Sequence, residues 1–129
     1  MIKIAVCDDE KYFINEITEI LENYLEKSGI TYDIDSFNSG EKFIELKEGI
    51  NRYNVIFLDI SMNDLDGMQV ARRVREINKD VYIVFVTAFA NFMADGYKVD
   101  AVRYILKNIE SLTEAVHECM DAIREKNEL

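Results

Sequence analysis

Apolar runs alternate with amphipathic stretches along the whole chain, and that alternation restricts the fold more than any other feature. Val55-Ile56-Phe57-Leu58 is apolar without a break, and so is the run from Val81 to Val86. Runs this short and continuous suit strands covered on both faces. Between them Val70, Val74 and Ile77 recur at helical spacing. The pattern extends in both directions. Residues 2–7 read as a strand, and Ile14, Ile17, Leu21 and Leu25 place a helix over about 10–27, ended by Ser28-Gly29. Tyr32 to Phe37 alternates as an edge strand does, and Ser39 caps a short helix carrying Phe43, Ile44 and Leu46. Ala101 to Leu106 reads as a last strand. Ser111 and Glu114 form a capping box before a helix lined by Leu112, Ala115, Val116, Cys119 and Ile123. Residues 89–98 form the weakest helix, interrupted by Gly96. Five strand–helix units in one domain, 1–129, imply an α/β fold with a parallel sheet and helices on both sides.

Composition narrows the function. The chain has 15 basic and 25 acidic residues, a net charge of -10, so it carries no footprint for binding nucleic acid itself. No apolar run reaches the ~20 residues that span a bilayer, and the N-terminal apolar run, broken at Asp8, does not read as a signal peptide. Cys7 and Cys119 read as free thiols, small buried hydrophobes in a reducing, cytoplasmic compartment.

In open sheets of this class, ligands bind beyond the carboxyl ends of the strands. There the first strand ends in Asp8-Asp9-Glu10, the third in Asp59 and the fourth in Thr87, while Lys107 follows the fifth. Strand adjacency would gather Asp8, Asp9 and Asp59, whose mutual repulsion a divalent cation relieves. Oxygen donors without nearby His or Cys suit Mg²⁺ better than zinc. A lysine and a hydroxyl on the same rim could take phosphoryl oxygens, so the set reads as a phosphoryl-transfer site.

These residues, in this order, resemble the receiver domains of two-component response regulators, over nearly the whole chain. Asp8-Asp9 matches the family's acidic pair. Asp59, within Phe57-Leu58-Asp59 and followed by Gly67, matches its phosphoacceptor. Thr87-Ala88 matches the switch hydroxyl and its small neighbour, and Tyr104, three residues before Lys107, the switch aromatic. The stretches from Phe85 to Phe89 and from Tyr104 to Lys107 further resemble regulators with a LytTR-type DNA-binding domain. The resemblance implies a CheY-like, doubly wound five-stranded sheet of order 2-1-3-4-5 in a three-layer sandwich. It implies that Asp59 is phosphorylated by a sensor histidine kinase. It implies that Asp9, Asp59 and the main-chain carbonyl of Ser61 hold Mg²⁺, with Asp8 helping mainly through water. Lys107 would pair with one phosphoryl oxygen and Thr87 with another, and Tyr104 would turn inward behind Thr87. The altered face, made by the fourth helix, last strand and last helix, would serve an output domain or a homodimer. Such a protein is a stoichiometric acceptor and not a turnover enzyme.

Two positions depart from the family pattern. Asn108 follows Lys107 where proline is usual, leaving the Lys107–Asn108 bond open between cis and trans, and Asn63 replaces a proline after the phosphoacceptor. Other readings compete. A Mg²⁺-dependent aspartyl phosphatase needs a second acid two residues after its nucleophile, where this chain has Ser61. An FMN binder needs a Gly- and Ser/Thr-rich loop where this chain has Cys7-Asp8-Asp9-Glu10. A phosphorylation-independent interaction module, or a stand-alone receiver, is the remaining alternative. The chain closes at Glu128-Leu129, where a linker to an output domain is expected. Among the remaining residues, Asp9 could simply cap the first helix. His117 reads as a surface residue and Arg72, Arg73 and Arg75 as a solvated face, while Phe89, Phe92 and Tyr97 divide between core packing and a contact surface.

Overall fold

The computed structural model describes residues 1–62 and 65–127. Its elements run β1 (Ile2–Cys7), α1 (Lys11–Lys27), β2 (Tyr32–Phe37), α2 (Gly40–Ile44), a 3₁₀ segment (Lys47–Arg52), β3 (Val55–Leu58), α3 (Gly67–Ile77), β4 (Tyr82–Thr87), α4 (Met93–Lys98), β5 (Arg103–Leu106) and α5 (Leu112–Asn127). The five strands form one parallel sheet of order β2-β1-β3-β4-β5, as expected.

The continuous apolar runs are explained by two cores, one on each face of the sheet. Successive strand side chains point to opposite faces. Ile2, Ile4, Val6, Val55, Phe57, Val84 and Val86 therefore join one core, packed with Ile17, Leu21 and Leu25 of α1 and Val116, Cys119 and Ile123 of α5. Ala5, Cys7, Ile56, Leu58, Ile83 and Phe85 join the other, packed with Val70, Ala71 and Val74 of α3. Each fully buried Val, Leu, Ile or Phe side chain among them contributes on the order of 1.5–3 kcal/mol. Across the first core, Tyr24 of α1 donates its hydroxyl proton to Asp121 of α5 and accepts from Arg124 Nη1 at 3.2 Å. His117 is half-buried at the edge of α5, beside the Tyr24 ring at 5.2 Å between centroids.

Several boundaries shift. Glu10 is the N-cap of α1, and its side chain makes no capping bond. Strand β4 starts at Tyr82 instead of Val81, and β5 at Arg103 instead of Ala101. The Val81 carbonyl is taken by Arg75, whose guanidinium donates to the carbonyls of Val81 (2.7 Å), Val99 (2.7 Å), Asn78 (3.4 Å) and Asp100 (3.1 Å). Before β5, the Ala101 amide donates back to the Gly96 carbonyl at 3.1 Å. Arg72 and Arg73 are exposed as expected, but Arg75 is not part of that solvated face. Ser39 caps α2 through the Lys42 amide, and Ser111 Oγ accepts from the Glu114 amide at 3.1 Å. The 3₁₀ segment after α2 was not legible in the periodicity. Asn63, one of the two departures from the family pattern, lies outside the described residues.

Candidate functional site

The parallel register sets Cys7, Leu58 and Phe85 side by side, which carries Asp8 and Asp59 to the same edge one residue later. The Asp59 amide donates to the Cys7 carbonyl at 3.0 Å, and the Lys107 amide to the Thr87 carbonyl at 2.8 Å. Thr87 pairs with Leu106 across the outer strands, so Lys107 leaves the sheet at the rim. The Lys107–Asn108 bond is trans, since no described peptide bond is cis.

Gly67 lets Asp59 sit where it does. The first residue of α3 rests on the backbone of β3's exit, and a Cβ there would lie 2.0 Å from the Asp59 carbonyl oxygen and 2.7 Å from its carbon. Only a glycine permits that approach. Asp66 holds the helix start with a capping box to Gln69, a signature present in the sequence as Asp-x-x-Gln.

Asp8, Asp59 and Thr87 are the buried polar residues of the described chain, each no more than 2% exposed. One carboxylate oxygen from each of Asp8, Asp9, Glu10 and Asp59 lies within 4.8 Å of the others. For the buried pair, Asp8 and Asp59, like charge at such range costs about 3–4 kcal/mol at an effective dielectric of about 20, and water screens the more exposed Asp9 and Glu10. Lys107 is the compensating cation: its Nζ lies 2.9 Å from Asp8 Oδ2, 2.9 Å from Glu10 Oε2 and 3.2 Å from Asp59 Oδ2. One ammonium against four carboxylates leaves three negative charges unbalanced when all are ionised.

The titration of these groups follows. Burial, with the charge of Asp59 beside it, pushes Asp8 up to about 6, although a hydrogen bond from the Glu10 amide and the Lys107 ammonium act against the rise. Burial also raises Asp59, opposed by Lys107, by the Thr87 hydroxyl and by the Ser61 amide. For Lys107, burial pulls downward, but hydrogen bonds to Asp8 and Glu10 and the charge of Asp59 outweigh it and raise the group.

Asp9 does not cap α1; its carboxylate belongs to the acidic cluster. Tyr104 packs its ring on Phe85 (5.8 Å between centroids) and donates its hydroxyl proton to the Phe89 carbonyl in the loop after β4. Gly96, which broke the helical periodicity, makes room for that ring: a Cβ would lie 3.3 Å from Tyr104 Cδ2. Phe92 packs against the core, whereas Phe89 and Tyr97 are exposed and do not join it.

Two residues at the site went unassigned in the sequence. Glu10 was visible in the acidic string but not as a partner of Lys107. Phe13 was not singled out at all, yet its ring centroid lies 4.1 Å from Lys107 Nζ. The spacing of three from the N-cap Glu10 to Phe13 in the first turn of α1 was the available signal.

The donor set is all oxygen, and its four carboxylates share the single Lys107 ammonium as counter-charge. Both features fit a hard divalent cation such as Mg²⁺.

Residues 4–117 match the family described as the response regulator receiver domain. A "Sensory transduction protein LytR" of Staphylococcus saprophyticus is 31% identical over 130 residues, covering 98% of this chain and 48% of that protein. A "Transcriptional regulatory protein LytR" of Staphylococcus aureus is 30% identical over 107 residues, covering 81% of this chain and 41% of its own. The chain thus spans about half the length of the curated relatives it matches. In structure it resembles the response regulatory domain of mrkE from Klebsiella pneumoniae, with a TM-score of 0.83, 22% identity and 97% of each chain covered.

Proposed function

The chain belongs to the response-regulator receiver family, and from that premise we propose that Asp59 is the phosphoacceptor of a Mg²⁺-dependent switch supplied by a sensor histidine kinase. The observation that carries the reading is the meeting of Asp59 with Lys107 at 3.2 Å inside a cluster of four carboxylates. Asp9, Asp59 and the Ser61 carbonyl would hold Mg²⁺ directly, and Asp8 mainly through water. When bound, the ion supplies positive charge that lets an anionic carboxylate approach an anionic phosphoryl group.

The chain's own residues do the rest. An Asp59 carboxylate oxygen attacks phosphorus, the bond from phosphorus to the donor breaks, and the donor leaves with its electron pair, so that an acyl phosphate forms. Lys107 moves from carboxylate to phosphoryl oxygen, and Thr87 donates its hydroxyl proton to a second. Tyr104 would then turn inward behind Thr87, coupling the site to α4, β5 and α5. That face carries exposed Met93 and Ile109 and a groove of about 530 Å³ lined by Met93, Tyr104, Leu106, Ile109 and Ala115. Its occupant would be an output domain or a second copy of the chain. The regulator names of the relatives, and the half-length match to them, support an output of LytTR type that contacts DNA in place of this acidic chain. Two free, buried cysteines fit a cytoplasmic setting.

Acetyl phosphate with Mg²⁺ tests the assignment. Wild type should take one acid-labile phosphoryl group per chain, and Asp59→Ala none. Stoichiometric labelling of the Asp59→Ala variant, or many turnovers on a generic phosphomonoester, would overturn it.

A further inference from the structure

Lys107 has one uncharged anchor, a ring that binds neither a phosphoryl group nor a metal ion. Its side chain is 6% exposed, and three carboxylates surround its ammonium. On the reading of Asp59 as phosphoacceptor, phosphorylation would take Asp59 from that set, and a bound cation would draw on Asp8. Glu10 remains, but its side chain is 59% exposed, so water and salt screen it. The other lasting neighbour is the Phe13 ring, 4.1 Å from Nζ, well inside the ~6 Å reach of a cation–π contact. Such contacts strengthen where the cation is out of water, as it is here.

The ring is itself well placed. Phe13 lies in the first turn of α1, its amide donating to the Glu10 carbonyl at 3.0 Å. It packs against the core, and Tyr12 meets its edge at 5.1 Å and 88°. The contact therefore joins the start of α1 to the end of β5, across 94 residues of chain, in the middle of the site.

We propose that Phe13 is a positioning residue, whose ring helps hold the Lys107 ammonium over the phosphoryl site when Asp8 and Asp59 are engaged elsewhere. The proposal rests on the reading of Asp59 as phosphoacceptor. A ring suits the task because it attracts the cation without competing for a proton, a metal ion or the phosphoryl group.

The test compares wild type, Phe13→Leu and Phe13→Tyr in two measurements. In the first, NMR of the unphosphorylated chain should show the Lys107 ε-methylene protons shifted upfield by the ring in wild type and Phe13→Tyr, and not in Phe13→Leu. In the second, labelling by acetyl phosphate at saturating Mg²⁺ should slow about three- to tenfold in Phe13→Leu, with Mg²⁺ affinity unchanged and the rate restored in Phe13→Tyr. A wild-type Lys107 without the upfield shift overturns the proposal without recourse to any variant. So does a Phe13→Leu rate equal to wild type, or a Phe13→Tyr rate as slow as Phe13→Leu. A wild type that takes no label sinks the phosphoacceptor reading and this proposal with it; a labelled wild type with an unaffected Phe13→Leu sinks this proposal alone.

Discussion

Replacing Asp8 with asparagine should make the metal-free protein more stable at pH 7, although Asp8 belongs to the site. The substitution keeps the shape and the Oδ1 acceptor that serves the Glu10 amide at 2.9 Å, and it removes the buried charge. Burial and Asp59 carry Asp8 from an ordinary 3.8 to about 6. At about 1.4 kcal/mol per unit, the ionised carboxylate costs the folded state about 3 kcal/mol. Lys107 is already included in that net, because its attraction opposes the rise. The sign follows from linkage. A raised folded-state value means that the folded protein binds the proton more tightly than the unfolded chain. The stability from this group is complete below pH 3.8 and is lost as pH rises through about 6. Asp8→Asn should therefore gain roughly 10 °C in Tm at pH 7 in EDTA, and the gain should shrink as the pH falls toward 4. Mg²⁺ should narrow the gap as well, since it stabilises the charged wild-type site by binding the folded state. Thermal unfolding followed by circular dichroism, at pH 7 and pH 4.5 with EDTA or Mg²⁺, measures all of this. An Asp8→Asn protein less stable than wild type at pH 7 in EDTA, or a gain independent of pH, would refute the electrostatic account.

Two other predictions concern the scaffold. Gly67→Ala puts a Cβ against the Asp59 backbone, and overpacking of that kind costs about 1–3 kcal/mol; urea unfolding should show the loss, acetyl phosphate labelling should fall with it, and unchanged labelling would mean the loop yields without moving Asp59. Arg75→Ala should cost about 2–3 kcal/mol, because it strips a charged donor from four carbonyls, while Arg72→Ala should stay within about 0.5 kcal/mol; equal effects in urea unfolding would show that the Arg75 contacts contribute nothing.

Much of the fold was determined locally. The period-two alternation and the continuous apolar runs required five strands and a sheet covered on both sides, because a strand between two cores has no face left for polar residues. The same periodicity put Asp8, Asp59, Thr87 and Lys107 at strand ends, and a parallel sheet brings strand ends together. What the tertiary structure decided lies in contacts between distant segments. Arg75 is indistinguishable from Arg72 and Arg73 along the chain, and only the turn of α3 against the β4 and β5 entrances buries one of the three. Tyr97 looked able to join a core and is 85% exposed, since α4 spans only Met93–Lys98 and turns it outward. The partners of Lys107 show the limit most clearly. Asp8 and Asp59 follow from strand order, but Glu10, 97 residues away, and Phe13 depend on how α1 is rotated against the sheet. That rotation is set by the packing of α1 against β1 and α5, and no periodicity in a single segment encodes it.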